Sequence, residues 1–133
     1  MRRTRTLLAA VASLGALSLL AAAAPAQAGW QQLGCAPTDV RYAHICFDRS
    51  TNDSSKARGR YVNNSAYDLQ NSGFFYKQTT SQTISCASTV TRAGTMSTCT
   101  RTLPKGRWQL GAYTWYGGQF LGTALTDQFN FGF

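Results

Sequence analysis

Of the 133 residues, few belong to types that carry chemistry: one histidine, His44, five acidic side chains that are all aspartates, and four cysteines, Cys35, Cys46, Cys86 and Cys99. The histidine lies in the run Arg41 to Asp48, whose composition predicts a strand. Alternation along a strand puts Tyr42, His44, Cys46 and Asp48 on one face. A His44–Asp48 contact there would orient an imidazole as a general base. No serine or cysteine nucleophile is tied to that pair by any motif. Glycosidase chemistry would have to draw on aspartates alone, because the chain has no glutamate to serve as a raised-pKa acid. A small secreted ribonuclease fits the size and the basic charge but lacks the carboxylate and histidine complement. Hydrolysis is therefore the least supported activity, no catalytic residue is assigned, and the chain is expected not to be an enzyme.

The cysteines point to a framework instead. An even number in a short exported chain implies disulfides, with three connectivities open to four cysteines. The pairing expected is Cys35 with Cys46 and Cys86 with Cys99, since each pair is close in sequence and flanks turn-rich residues. Each closure constrains the unfolded chain by about 3 kcal/mol on the loop-entropy model. A zinc site would need CxxC-type spacing or several histidines, so no metal and no cofactor is expected.

Export is inferred from the N-terminus. Arg2, Arg3 and Arg5 precede an apolar run from Leu7 to Ala24, and Ala26-Gln27-Ala28 supplies a small-x-small cleavage pattern. Cleavage before Gly29 is expected. The run is mostly alanine, which makes it weak as a permanent anchor, so no membrane association is expected after processing. Removing 28 residues leaves 105, a one-domain length that buries roughly 65 % of its unfolded surface. Three of the thirteen cations belong to the leader, which leaves ten against five aspartates and a net charge of +5. In an exported protein that charge favours acidic proteins or anionic wall polymers, and no nucleic acid is expected as partner.

The elements that must position these residues are strands. Beyond residue 28 there are fourteen threonines and sixteen aromatics, no glutamate, and no stretch with apolar residues at i, i+3, i+4 and i+7. Strands are predicted at 41–48, 57–64, 73–79, 82–88, 97–103, 107–116, 119–126 and 127–131, separated by turn-rich segments such as Ser50–Ser55 and Leu103-Pro104-Lys105-Gly106. The expectation is an all-β fold, a small antiparallel β-sandwich, Ig-like or similar, of about seven to eight short strands with two disulfides. Residues 29–34 are expected to form an extended N-terminal arm and residues 35–133 a single domain.

The most specific local prediction is a hairpin at Tyr116-Gly117-Gly118-Gln119, where two glycines accept the positive φ values of a two-residue turn. Pairing outward from it predicts Trp115 opposite Phe120, Thr114 opposite Leu121 and Tyr113 opposite Gly122. Tyr113, Trp115, Phe120 and Ala124 then share one face, with Leu110, Ala112, Thr114, Tyr116 and Leu121 on the other. A hairpin apolar on both faces must be covered twice or expose an aromatic surface. Lys105 and Arg107 sit at the far end of the same ribbon, which nominates Tyr113, Trp115 and Phe120 with Arg107 and Lys105 as a binding surface.

Other signals have plain structural readings. Lys56, Arg58 and Arg60 alternate with a pattern that suits a charge-protected edge strand. Phe129, Phe131 and Phe133 alternate with polar residues and are expected in the core. Asn52-Asp53-Ser54 and Asn63-Asn64-Ser65 match a glycosylation pattern that is common by chance. In size, leader and cysteine number the chain is similar to the small exported β-proteins of high-GC Gram-positive bacteria. Those include protease inhibitors, chromophore carriers and subunits of secreted toxin assemblies, and the likeness transfers no functional residue. The function expected is a secreted, non-enzymatic binding protein acting by protein–protein contact, such as an adaptor or subunit of an extracellular complex, a toxin complex included. A secreted protease inhibitor presenting the Lys105 loop and a cationic cell-wall or glycan binder with an antibacterial role are the alternatives.

Overall fold

A computed structural model describes residues 29–133, and the predicted leader lies outside the described residues. The threonine- and aromatic-rich composition is realised as ten strands: β1 (Trp30–Pro37), β2 (Ala43–Ser50), β3 (Lys56–Asn63), β4 (Leu69–Lys77), β5 (Gln82–Ser85), β6 (Thr89–Thr91), β7 (Thr95–Thr102), β8 (Gly106–Tyr116), β9 (Gln119–Leu125) and β10 (Phe129–Phe131). They form two antiparallel sheets. The first runs β1-β2-β3-β7, and in the second β4 and β8 lie at the centre, with β5 and β6 along β4 and β9 and β10 along β8.

Period-2 alternation aims Ile45 and Phe47 of β2, Tyr61 of β3, Phe75 of β4, Trp108 and Leu110 of β8 and Phe131 of β10 into the space between the sheets. Phe47 is the hub, with its ring centroid 5.1 Å from that of Phe131 and 5.7 Å from that of Phe75. The buried polar tips are satisfied as an apolar core demands. Trp108 Nε1 donates to the Pro104 carbonyl at 2.8 Å, and the Tyr61 hydroxyl meets Thr114 Oγ1 at 2.7 Å across the core. Both expected disulfides are present. Cys35–Cys46 joins residues directly opposed on β1 and β2, while Cys86–Cys99 clamps the segment after β5 to β7 of the other sheet.

Four sequence expectations change. Residues 29–34 are not a separate arm, because Trp30–Pro37 pairs with β2 along its length and closes the first sheet. The predicted strand at 82–88 ends at Ser85 as β5, and a separate strand that was not predicted, β6, follows at Thr89–Thr91; the two pair with different halves of β4. Strand β3 is interior, hydrogen-bonded to both β2 and β7, so its arginines do not guard an edge. Of the three C-terminal phenylalanines, Phe131 is fully buried and Phe129 packs on the core, but Phe133 lies past the end of β10 and is 69 % exposed.

Candidate functional site

The hairpin turn forms as its glycines dictate, with Gly117 at φ 58° and Gly118 at φ 82°, both in the left-handed region. Tyr116 faces Gln119 and Trp115 faces Phe120, and then the register slips: Leu121 is extra, so Thr114 faces Gly122 and Tyr113 faces Thr123. This is a β-bulge, and one added residue reverses which way all later side chains point. Ala124 therefore turns inward to the core opposite Ala112, contrary to its expected place beside Tyr113, and Leu125 turns outward opposite Gly111. Gly122, at φ 140°, leaves its side-chain space to the Asp39 carboxylate, which accounts for a glycine at that place.

The outer face of the second sheet consequently carries a continuous run of apolar side chains. Phe74 of β4 lies 5.0 Å from Tyr113, and Tyr113, Trp115 and Phe120 sit 5.6 to 6.1 Å from one another, centroid to centroid. Tyr113 is 40 % exposed, Phe120 50 % and Leu125 49 %. Exposed Val90 extends the patch through the row Val90–Gln70–Trp115. Gly111 is what lets the Phe74 ring lie down against β8, because a Cβ at that position would overlap the ring. The rings of Tyr113, Trp115 and Phe120 are mutually tilted by 55 to 60°, so the surface is ridged and not a flat platform.

Tyr113, Trp115 and Phe120 are thus brought together, joined by Phe74, Leu125 and Val90, which sequence reasoning did not nominate. Phe74 was visible as an apolar residue in a predicted strand, but its neighbour across β4 and β8 was not. The two nominated cations are elsewhere. Arg107 shares the face of β8 but lies six residues from Tyr113, about 20 Å at about 3.4 Å per residue. Lys105 rests its ammonium 4.8 Å from the centroid of the Phe133 ring, and its carbonyl accepts a bond from Lys77 Nζ at 3.2 Å.

The catalytic constellation considered from sequence does not assemble. Asp48 is fully buried, with Arg58 Nε at 2.8 Å and Arg60 Nε at 2.7 Å on one oxygen and Arg60 Nη2 at 3.0 Å on the other. Arg60 also reaches Gln32 Oε1 at 2.7 Å, and the Arg58 guanidinium stacks 4.7 Å over Trp30. His44 lies on the same strand face two positions before Cys46 and four before Asp48; burial first, then the positive charge of Arg60, pushes its pKa down. Tyr42, in the turn before β2 at φ 71°, is exposed and outside that strand face. Among the described residues no group of three or more His, Cys, Asp or Glu is placed to hold a metal ion. Asn63 of the second glycosylation match is buried, its amide donating to the carbonyls of Tyr67 and Thr91.

In comparisons with known proteins, no family model and no curated protein matches the chain. Function must accordingly be argued from the surface itself. The two disulfides are compatible with an oxidising, extracellular compartment.

Proposed function

We propose that this is a secreted, non-enzymatic binding protein that recognises another secreted protein through the outer face of its second sheet, as an adaptor or subunit of an extracellular complex. The observation that carries the reading is the exposed group Tyr113, Phe120 and Leu125, with half-buried Trp115 between them and buried Phe74 beneath Tyr113, in a domain short of aliphatic core material. Water-exposed apolar area of this kind is stabilised only when a partner covers it. Aromatic side chains are the type that dominates protein interfaces, and here they stand on two paired strands that fix their positions before binding. The mutual tilt of the rings offers crevices for a partner's apolar side chains, whereas stacking of a sugar ring calls for an open flat face.

The protease-inhibitor alternative gains no support from the Lys105 loop, whose lysine is held at both its carbonyl and its ammonium by Lys77 and Phe133. The wall-binding alternative has one observation in its favour. Lys56, Arg101, Lys105 and Arg107 are all exposed at the end of the sandwich opposite the hairpin.

The test is comparative capture from culture supernatant on the immobilised protein and on a Trp115→Ser/Phe120→Ser variant. The expected result is one defined protein retained by the parent in high salt and lost by the variant. Equal capture by both overturns the proposal. Salt-sensitive sedimentation with isolated cell walls, unchanged in the variant, would support the wall-binding reading in its place.

A further inference from the structure

Between β7 and the broken strand β5/β6 the sandwich has a notch that leads from solvent to the core. Its origin is a level of small residues on facing inner surfaces. Gly59 of β3 stands beside Cys99 in register, Cys86 donates its N–H to the Gly73 carbonyl at 2.8 Å, and Gly73 faces Ala112. The Cys86–Cys99 bridge occupies part of the space those glycines leave. What remains is a cavity of about 50 Å³, open between exposed Ala87, Thr89 and Thr98 and floored by Ile45, Leu110 and Ala112. That is about a third of an engineered cavity of roughly 150 Å³ that admits benzene, and far below the roughly 300 Å³ at which small-molecule sites begin. A cofactor does not fit, and an aliphatic side chain does.

The strand beside the notch is suited to deliver one. β7 ends the first sheet, paired with β3 through eight consecutive residues without a slip, so its outer row of backbone donors and acceptors has no partner within that sheet. Other edges in the described residues are blunted in the ways edges usually are. β1 has a bulge between Gln32 and Gly34 and ends in Pro37, β9 has its bulge at Leu121, and β5, β6 and β10 are only three or four residues long. β7 has no proline and no lysine. Its single charge, Arg101, is turned to the Thr100 carbonyl at 2.8 Å and the Ser85 carbonyl at 3.4 Å, below the notch, which leaves Thr95–Cys99 clear of it.

We propose that the β7 edge and the notch beside Cys86–Cys99 form a second binding site, which adds an extended peptide segment as a strand and seats one of its aliphatic side chains in the notch. Main-chain bonds to β7 supply affinity and the notch supplies selectivity, the division of labour found wherever a peptide extends a sheet. The site is independent of the aromatic face and lies along a lateral edge of the sandwich, not on its outer surface.

Random nonapeptides displayed on phage are selected on the immobilised protein, and the strongest is titrated into the 15N-labelled protein. The expected peptides share one Val, Ile or Leu within an alternating pattern of small polar residues. Amide shifts should concentrate on Thr95–Thr100 and Ala87–Thr89, with exchange of β7 amides slowed at least tenfold. Gly73→Ala adds a single carbon whose nearest neighbours would lie 3.7 Å away, so it is accommodated while narrowing the notch. It should weaken the peptide at least fivefold without lowering the melting temperature, and Trp115→Ser/Phe120→Ser should leave peptide binding unchanged. Recovery of no peptide, shifts confined to Tyr113–Phe120, or parental affinity in Gly73→Ala each overturns the proposal.

Discussion

On the outer face of the first sheet Asp48 is fully buried beneath Arg58 and Arg60, while on the outer face of the second Tyr113, Phe120 and Leu125 stand 40 to 50 % exposed. The two surfaces invert the usual arrangement, charge covered and hydrocarbon bare. In the first, every strong group is answered from within the chain: both carboxylate oxygens by arginine, Arg60 again by Gln32, and Arg58 by the Trp30 ring. A buried ionic cluster is tolerable only when complete, because each desolvated charge costs several kcal/mol unless paired. In the second, the apolar groups touch one another but Tyr113, Phe120 and Leu125 are left partly uncovered by the described residues, and about 25 cal/mol per Å² remains to be gained on contact. The contrast teaches that satisfaction, more than residue type, separates a structural face from an interaction face.

The comparison can be broken most severely at Asp48. Asp48→Ala should leave two partly buried guanidinium groups without their anion and destabilise the domain by about 3–5 kcal/mol; a urea titration that moved the midpoint only slightly would mean the first face is not structural. Next in size is removal of the bridge between the sheets. Cys86→Ala/Cys99→Ala should cost about 3 kcal/mol from freeing a 13-residue separation, seen as a lower melting temperature with the sheet spectrum retained. On the aromatic face the same measurement should respond little: Trp115→Ser/Phe120→Ser is expected to change stability by no more than about 1 kcal/mol, as for other exposed positions. A large loss there would make the aromatic patch part of the core and sink its role in binding.

The smallest effect is a pH dependence at His44. Its folded pKa lies below its ordinary value of 6.5 because burial and Arg60 disfavour the imidazolium. The unfolded chain therefore takes up a proton that the fold resists. This contribution to stability is present above pH 6.5 and lost as the pH falls through the lowered folded pKa. Melting temperatures measured from pH 7.5 to 5 should decline less in His44→Gln than in the parent.

Much of the scaffold was legible because its signals are local. Gly117-Gly118 between two aromatic runs announced the turn, Cys35 and Cys46 announced a short closure, and Phe129 and Phe131 announced one buried face. The outward half of the site was not legible. Nothing in the alternation of β9 marks Leu121 as the extra residue, so Ala124 was expected on the aromatic face and Leu125 was overlooked. Lys56, Arg58 and Arg60 look alike in sequence whether a strand lies at an edge or in the middle of a sheet, and only the pairing of β3 with β7 tells them apart. Trp30–Pro37 has weak strand composition, and its strand exists because β2 offers an edge and Cys46 a covalent tie.

Composition and short-range spacing alone determined that this protein is built of strands, where its tightest hairpin turns and which cysteines join, since backbone propensity and loop closure act within a few residues. The tertiary structure alone decided which side chains were left in water. That choice depends on strand order, on one inserted residue in β9 and on which distant partners reach Asp48, all of which arise only when the two sheets meet.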